Sequence, residues 1–471
     1  MLLAARIYGA LAAALLAVVT VRILSVEDYG RLATAMAIVA VVGIVAESGI
    51  AALATRQITL DEHRTGPILG LALSAEAATA TLGGILLVPL GLLLGYPSTV
   101  VVLLGLGALL IVAQGALAAL SGVFQARRVF ELFAACVVVQ ATFMVVGGVG
   151  ALVAGLGAAG LVASAGLSYA AAALAALVLA RRRLGTRPDF RGTRRRIPGF
   201  LREAAPIAIV ASIGIVYGRL GLLLLSKLDD EHAVAVYNLP LTIVELTFLV
   251  PAAVATAFYP LLTRQLAVDR ADAERSMDLL LRLFLLGSVP IALVLALGGT
   301  DVITFVFGDN YAESGDVMVV LAASVVTNFF SYLAWYALLA ARREGRRVPA
   351  IVTGLALNVV LCVVLIPHHG AIGAASALVV SDAFMIAWVL LVVHRQVVEL
   401  RGARIVLRAL PAAVAAAVVA LLPLPGGGLV LGIAASAAWL AVLLATSYIG
   451  RGEWEPLLAP LRGVRRAPAD A

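Results

Sequence analysis

The amino-acid sequence predicts an all-α membrane protein that crosses a lipid bilayer many times. Of its 471 residues, 63% are hydrophobic and 13% are charged, and the mean hydropathy is +1.08. Soluble domains are about 45–50% apolar and about 25% charged. Apolar runs of about 20 residues, the length that a helix needs to cross a bilayer, recur along the whole chain. This composition excludes an ordinary soluble domain.

Counting these apolar runs predicts about fourteen membrane-spanning helices. They begin near Ile7, Gly30, Gly66, Thr99, Phe130, Gly157, Ala204, Ala233, Met277, Val317, Val348, Ala371, Ile405 and Gly428. The first run follows Arg6 and is read as an uncleaved first helix, since further spans follow it closely. Twelve of the spans form two sets of six, and two more follow at the C-terminal end.

The connections between the predicted spans alternate in charge. All but four of the 34 lysine and arginine residues fall on one side of the membrane, the exceptions being Arg22, Arg31, Arg219 and Lys227. Because basic residues in short loops mark the cytoplasmic side, we expect both termini in the cytoplasm of a multi-pass protein of the cell (cytoplasmic or inner) membrane. The net charge of +7 indicates contact with anionic lipid headgroups rather than with nucleic acid.

An arginine-rich segment divides the predicted spans into two lobes. It holds nine arginines between Arg181 and Arg202. We predict an N-terminal lobe of helices 1–6, a cytoplasmic linker, a C-terminal lobe of helices 7–12, the two added helices and a cytoplasmic tail; these occupy residues 1–180, 181–203, 204–395, 396–450 and 451–471. The arginines are interpreted as a topology anchor, with a docking site for the acidic patch of a partner as the alternative.

A short repeat relates the two lobes. The stretches Val41–Gln57 and Leu249–Gln265 both end in Thr-Arg-Gln. A tyrosine, Tyr29 or Tyr237, lies at the predicted outer end of each helix, while the triplet lies at the inner end. The two copies therefore have the same orientation, which predicts two parallel six-helix repeats. That arrangement is typical of transporters with a substrate site between two halves.

Several polar residues fall inside the predicted spans. A charged side chain at mid-bilayer costs about 2.5–3.5 kcal/mol on insertion scales, so it usually faces the helix bundle or a wet cavity. The carboxylates are Glu47, Glu76, Glu245 and Asp382, the one deep cation is Arg219, and the amides are Gln114, Gln140, Asn328 and Asn358. We expect the carboxylates to line the transport pathway or to couple transport to an ion. A structural ion pair or a protonated, hydrogen-bonded carboxyl is the alternative for each.

The sequence contains no phosphate-binding loop of the G-x-x-x-x-G-K-[ST] type. ATP therefore cannot drive motion within this chain, and no cofactor or metal site is predicted. Coupling to H⁺ or Na⁺ and substrate-driven exchange both remain open.

Four segments carry a resemblance to a known family. They are "RILSVEDYGRLATAMAIVAVVGIVAESGIAALATR", "VYNLPLTIVELTFLVPAAVATAFYPLLTR", "FVFGDNYAESGDVMVVLAAS" and "ALNVVLCVVLIPHHGAIGAASALVVSD". The last contains an Asn, then Leu-Ile-Pro, then a Gly-x-x-Gly-Ala-Ala pattern. The chain resembles the polysaccharide (O-antigen and related repeat-unit) flippases, in the superfamily that also holds the multidrug and toxin extruders and the lipid II flippases.

The resemblance implies a secondary transporter that flips a polyprenyl-pyrophosphate-linked oligosaccharide to the outer leaflet by alternating access, for the synthesis of cell-surface glycans. A cationic cavity would attract the pyrophosphate, because guanidinium groups bind phosphate oxygens bidentately. The predicted cationic contacts are Arg219, Arg22, Arg31, Arg56 and Arg264, and the predicted sugar contacts are Tyr217, Asn328, Tyr332, Trp335 and Asn358. Expected partners are the lipid-linked substrate, membrane lipids and the glycosyltransferases or polymerase of the same pathway.

Two other functions are weighed against this one. An ion-coupled drug or cation extruder of the same superfamily would favour an anionic cavity, which the four carboxylates inside the predicted spans would provide. A membrane glycosyltransferase could use Asp229 and Asp230, in the turn "KLDDEH", to hold a metal. That turn is short and no sizeable outer loop accompanies it. We therefore expect a transporter and not an enzyme.

Overall fold

The computed structural model of the chain is helical throughout the part that it describes, which comprises residues 2–47, 49–423, 425–446 and 448. Within these residues there are fifteen α-helices, three short 3₁₀ turns and no strand. The all-α prediction is therefore confirmed. The helices up to residue 228 are α1 (Leu2–Ile23), α2 (Val26–Glu47), α3 (Ile50–Leu60), α4 (Thr65–Leu93), α5 (Ser98–Ala126), α6 (Phe130–Val153), α7 (Gly157–Leu184) and α8 (Thr193–Leu228).

The remaining helices complete the same pattern of long apolar segments joined by short turns. They are α9 (Glu231–Thr247), α10 (Leu249–Val268), α11 (Arg270–Phe307), α12 (Ser314–Ala340), α13 (Val348–Gln396), α14 (Gly402–Ala420) and α15 (Gly427–Ala445).

By length and composition, twelve helical segments of the described chain can cross a membrane. One of them is α13, where the sequence predicts two spans beginning near Val348 and Ala371. The two predicted spans form the two halves of this helix, which bends at Gly370 (φ 50°, ψ −129°). Helix α14 is not among the twelve. The number fourteen and the orientation of the termini stay predictions.

The chain forms two compact units, Met1–Ala235 (unit 1) and Val236–Ala471 (unit 2). In unit 1, α5 packs between α4 and α7, and small and branched apolar side chains such as Ala72, Leu104 and Ala176 form its buried core. In unit 2, α11 packs against α12 and α15. The division into lobes joined by an arginine-rich linker at residues 181–203 stays a prediction.

The two copies of the Thr-Arg-Gln triplet end their helices in the same way. The amide of Asp61 donates to the carbonyl of Gln57 (3.1 Å) at the end of α3, and Asp269 donates to Gln265 (2.8 Å) at the end of α10. Both aspartates have nearly the same extended backbone, with φ of −146° and −145°. The polar repeat seen in the sequence therefore marks matching helix ends in the two units.

Most of the arginine-rich segment is helical, because α7 continues to Leu184 and α8 begins at Thr193. The connecting residues 185–192 lie against α4, where the amide of Asp189 donates to the carbonyl of Gly66 (3.0 Å). A Cβ atom on Gly70 would lie 1.9 Å from the carbonyl oxygen of Asp189. Glycine on α4 therefore permits this close contact, and all nine arginines remain exposed.

The α4–α5 turn is joined to the end of α8. The hydroxyl of Tyr96 lies 2.9 Å from that of Ser226, and the ammonium of Lys227 lies 3.1 Å from the centre of the Tyr96 ring. The same ammonium donates to the carbonyl of Leu94 (2.6 Å). Burial raises the pKa of Tyr96, against the smaller opposing effect of its hydrogen bond to Ser226. We call this contact the turn clamp.

Candidate functional site

A break in the helix that follows the first turn positions Glu47. Helix α2 ends at Glu47 and α3 begins at Ile50, with Gly49 between them at φ 84°. A Cβ atom on Gly49 would lie 2.4 Å from the carbonyl oxygen of Ala204 on α8. Positive φ and this close approach both require glycine. The break leaves the half-buried carboxyl of Glu47 at the C-terminal end of α2.

Glu47 and Glu76 form what we call the carboxyl pair of unit 1. Glu76, on α4, is only 1% exposed, and it lies close enough to Glu47 for the two carboxyl groups to interact electrostatically. The Nε2 group of Gln114, on α5, donates to Glu47 (3.1 Å). Among the described residues, neither carboxyl oxygen of Glu76 has a hydrogen-bond partner. A Cβ atom on Gly115 would lie 2.7 Å from Glu76 Oε2, so α5 packs directly on this carboxyl.

A cavity of about 400 Å³ lies beside the carboxyl pair within unit 1. Its polar lining comes from Gln114, Gln140 and Tyr169, and its apolar lining includes Met36 and Met144. Gln114 both lines the cavity and binds Glu47. The structure thus brings together two of the predicted carboxylates and two of the amides that the sequence places in the spans.

In unit 2, helix α12 carries a polar and aromatic surface. Asn328, Ser331, Tyr332, Trp335 and Tyr336 recur at intervals of three and four residues, which places them along one side of the helix. All five are half-buried. We call this surface the α12 aromatic face, and it contains Asn328 and Tyr332 of the predicted substrate-binding set.

Arg347 lies against the α12 aromatic face. Its guanidinium is 5.2 Å from the ring centre of Trp335, and its Nη2 donates to the hydroxyl of Ser331 (3.2 Å). Asp382, on α13, is 8% exposed and attracts the same guanidinium. Arg347 is therefore a half-buried cation with an aromatic, a hydroxyl and an acidic neighbour.

Tyr336 connects the α12 aromatic face to α10. Its ring packs edge-to-face on that of Tyr259, with centroids 5.8 Å apart. Its hydroxyl lies 2.9 Å from the hydroxyl of Thr256. These contacts fix the rotamer of Tyr336, so the C-terminal end of the α12 aromatic face is held in one arrangement.

Asn358 is more deeply buried than the residues of the α12 aromatic face. It is 1% exposed on α13, and its Oδ1 accepts a hydrogen bond from the thiol of Cys362 (3.6 Å). Its Nδ2 has no partner among the described residues. Its contact with substrate stays a prediction.

The five predicted cationic contacts lie on five different helices. Arg22, Arg56 and Arg264 are exposed on α1, α3 and α10, and Arg219 is half-buried on α8. Arg31, on α2, pairs with Asp28 at 3.0 Å and with Glu231 at 3.9 Å. Glu245, on α9, is half-buried. The roles of these residues in binding stay predictions.

Sequence reasoning missed Arg347. It belongs to "RREGRR", which reads as one of several cytoplasmic anchor sequences. Its neighbour Arg346 is exposed, whereas Arg347 turns toward Ser331. One sequence signal was available: the proline two residues after Arg347 marks the start of a helix, and Arg347 is the N-cap of α13.

The acidic pair considered for metal binding caps a helix. The Oδ1 atom of Asp230 accepts the amide of Ala233 (2.8 Å) in the first turn of α9, and Asp229 accepts the amide of Asp230 (3.1 Å). Aspartate at this position is a common helix N-cap. The two residues therefore have a structural explanation.

Comparison with known proteins gives one match to a sequence family and several matches to solved structures. The sequence profile described as polysaccharide biosynthesis protein matches residues 1–266. Comparison with curated protein sequences finds no match. The fold is similar to that of the lipid II flippase MurJ in an inward closed conformation, with a TM-score of 0.76, 13% identity and coverage of 96% of this chain and 98% of that chain.

Multidrug transporters share the fold as well. An inward-facing multidrug resistance MATE family transporter of the MOP superfamily gives a TM-score of 0.62, with 13% identity and coverage of 82% of this chain and 94% of that chain. A mutant of the Vibrio cholerae MATE transporter VcmN gives 0.58, with 16% identity and coverage of 84% and 96%. At these identities the likeness shows a common fold.

Proposed function

The chain belongs to the polysaccharide biosynthesis protein family, and from that premise we propose that it flips a polyprenyl-pyrophosphate-linked oligosaccharide across the cell membrane. Movement is from the cytoplasmic to the outer leaflet, by alternating access and without ATP. The fold is one of transporters and flippases rather than of an enzyme. The chain is a multi-pass membrane protein by its many long apolar helices.

The observation that carries this proposal is the α12 aromatic face with Arg347 beside it. A phosphate group in a medium of low dielectric needs charge-assisted hydrogen bonds, and a guanidinium supplies two in parallel. Aromatic rings, an amide and hydroxyls suit the alternating apolar and polar surfaces of sugars. Arg347 would hold the pyrophosphate, and Asn328, Tyr332 and Trp335 would contact the sugars.

Arg347 joins the cations predicted from the sequence rather than replacing them. Arg219 is half-buried in α8 and is proposed as a second pyrophosphate contact. Arg56 and Arg264 follow the last apolar turns of their repeats and are exposed, which suits first capture of the headgroup. Glycosyltransferases or a polymerase of the same pathway are the proposed protein partners.

A drug or cation extruder is the second candidate, because one observation favours it. The carboxyl pair lies next to a cavity with two methionines, two amides and a tyrosine. An anionic, partly apolar cavity suits an organic cation. Under the flippase proposal the same pair would bind a coupling ion instead of the substrate.

The test is mass spectrometry of lipid extracts from a strain that lacks the gene. Strains restored with wild type, Arg347→Ala, Arg219→Ala or Arg346→Ala are compared at matched protein levels. We expect accumulated polyprenyl-pyrophosphate glycan that wild type and Arg346→Ala clear, and that Arg347→Ala leaves at least tenfold higher. Arg346 is the matched control because it is adjacent and exposed.

Two outcomes would overturn the proposal. One is a deletion strain with normal lipid-linked glycans and raised sensitivity to cationic drugs, which would establish the extruder. The other is equal clearance by Arg347→Ala and wild type, which would remove the α12 aromatic face from the substrate pathway.

A further inference from the structure

The C-terminal ends of α5 and α12 share a backbone feature that neither candidate function uses. Among the described residues, two that are not glycine have positive φ: Arg128 (φ 57°) and Arg342 (φ 54°). Each comes directly after the C-cap of its helix, α5 in unit 1 and α12 in unit 2. Both arginines are exposed. We propose that each of them binds the phosphate group of a lipid.

The two helix ends are closed by the same hydrogen bonds. The amide of the arginine donates to the carbonyl three residues earlier (3.1 Å in both helices), and the amide of the next residue donates to the carbonyl five residues before it (2.9 Å in α5 and 2.8 Å in α12). This pair of bonds closes a helix through one residue with positive φ, which is usually glycine. Helices α4 and α6 end with the same pair of bonds, and there the residue is Gly95 or Gly155.

An arginine at this position costs free energy that a glycine would not, because its Cβ atom crowds the backbone. The need for basic charge in this turn does not explain the cost, since an adjacent residue with negative φ would carry the charge equally well. Attraction to the negative end of the helix fails as an explanation for the same reason. In each unit the helix is the second after the one that contains Thr-Arg-Gln. The strained arginine is therefore present at corresponding places in both repeats, which points to a ligand of the guanidinium.

The neighbouring arginine at each helix end has a different task. Arg127 donates through Nη2 to the carbonyl of Glu62 (3.3 Å) and to the hydroxyl of Thr65 (3.1 Å). Arg343 donates through Nη1 to the carbonyl of Gln396 (2.7 Å). These bonds attach each helix end to another segment of the same unit.

The attached segments add further cationic side chains. The turn attached to α5 contains His63 and Arg64, and the end of α13 attached to α12 contains His394 and Arg395. All four are exposed. The Nδ1 atom of His394 accepts the amide of Leu400 (3.0 Å), so its other ring nitrogen carries the proton and can donate. Each unit therefore brings a histidine and an arginine to the helix end that carries the strained arginine.

The guanidinium groups of Arg128 and Arg342 are available to an anion. Acidic residues occur in the adjoining turns, Glu62 in unit 1 and Glu344 in unit 2. In the described part of the chain, however, neither guanidinium has a hydrogen bond or an ion pair. The planar fork of N–H groups on a guanidinium matches two oxygens of one phosphate.

The lengths of the two helices favour a lipid phosphate over a soluble one. Helix α5 has 29 residues and α12 has 27, and at about 1.5 Å per residue they are roughly 40–44 Å long. A bilayer with its headgroups is about 40–45 Å thick, and both helices are long and apolar enough to cross it. Their ends therefore reach the headgroups. Two lipids supply this chemistry, an anionic phospholipid and the diphosphate of a lipid-linked substrate.

Native mass spectrometry of the purified protein in detergent tests the proposal. Phosphatidylglycerol, a polyprenyl diphosphate and the zwitterionic phosphatidylcholine are titrated separately. We expect Arg128→Gly combined with Arg342→Gly to bind one or both anionic lipids at least tenfold more weakly than wild type. Its unfolding temperature should be no lower than that of wild type, because glycine relieves the cost of positive φ. The matched control, Arg182→Ala with Arg404→Ala, removes one exposed arginine from each unit and should bind both lipids normally.

The two anionic lipids distinguish the sources of the phosphate. Weaker binding of phosphatidylglycerol would identify a phospholipid site, and weaker binding of the diphosphate alone would identify a substrate site. Unchanged binding of both would overturn the proposal, as would an equal loss in the control or an equal loss of phosphatidylcholine binding.

A second variant guards against a folding defect. Asparagine also tolerates positive φ, so Arg128→Asn combined with Arg342→Asn should lose binding as the glycine variant does. Retained binding in the asparagine variant would overturn the proposal. The phosphatidylglycerol titration contains no substrate, so failure of the flippase proposal leaves its result unaffected.

Discussion

Unit 1 and unit 2 end their repeated segments in the same way but carry opposite chemistry. In unit 1, Glu76 is buried with neither a cation nor a hydrogen-bond partner among the described residues. In unit 2, Arg347 contacts a ring and a hydroxyl and is attracted by a buried aspartate. A buried charge with partners can remain a charge, whereas one without them is stabilised by becoming neutral.

This difference separates two tasks that a coupled transporter has to perform. A group that changes between neutral and charged can bind and release a proton. A guanidinium, which stays charged at any ordinary pH, can hold an anion throughout. We therefore propose that unit 1 carries the group that changes charge and that unit 2 carries the contact for the anionic headgroup. Four substitutions test this difference.

The largest effect is expected from Arg347→Ala. The alanine would remove the contacts of the guanidinium with the ring of Trp335 and the hydroxyl of Ser331, together with its attraction to the buried Asp382. The temperature of thermal unfolding in detergent and the clearance of lipid-linked glycan should both fall strongly. Arg347→Ala combined with Asp382→Asn should recover stability but not transport, and recovery of both would show that Arg347 has a structural role only.

The next effect is expected from Gly49→Ala. A non-glycine residue at positive φ costs of the order of 1–3 kcal/mol, and the added methyl group would meet Ala204. Relief of this strain by a straighter α2–α3 segment would move Glu47 away from Glu76. We expect lower thermal stability together with a changed infrared carboxyl band. Gly95→Ala is the control, because that glycine also has positive φ but nothing lies within 4 Å of its added methyl group; an equal band change there would contradict the link.

A smaller effect is expected from Trp335→Leu. A cation over an indole ring contributes about 0.5–2 kcal/mol, so the guanidinium of Arg347 should become less well fixed. The rate of transport should fall several-fold, while the free energy of unfolding falls by about 1 kcal/mol. Trp388→Leu, at a 38% exposed tryptophan of α13, should leave transport unchanged. Equal effects at the two positions would argue against a special role for the α12 aromatic face.

The smallest effect on stability is expected from Glu76→Gln. Glutamine has the shape of a protonated glutamate, so the free energy of unfolding should change by no more than about 1 kcal/mol. Chemical or thermal unfolding in detergent measures it. A loss of stability as large as that caused by Arg347→Ala would mean that Glu76 is ionised and paired. The contrast between the two units would then be wrong.

The sequence was sufficient for the helical class and for the polar residues, because both follow from local composition. It could not give the break at Gly49, since the close approach of Ala204 on a distant helix makes glycine necessary there. It did place a boundary between two spans near Ala371, and the backbone of α13 is non-helical at the adjacent Gly370 (φ 50°, ψ −129°). A break such as that at Gly49 depends instead on a neighbouring helix.

The candidate sites show the same limit. Glu47 and Glu76 are conspicuous in apolar runs, but their pairing depends on how α2, α4 and α5 pack. Arg347 is one of several arginines near a predicted cytoplasmic turn, and charge alone does not distinguish it from Arg346. Its orientation depends on the ring of Trp335 and on Ser331, which lie on the preceding helix.

The turn clamp also gives the protein a chemical reporter. Lys227 is the only lysine in the sequence, so an amine-directed label would modify a single side chain. Its nitrogen is engaged by the Leu94 carbonyl and by the face of Tyr96, and acylation requires it to leave both. The labelling rate would therefore measure how often the α4–α5 turn and the end of α8 separate, with no engineered cysteine.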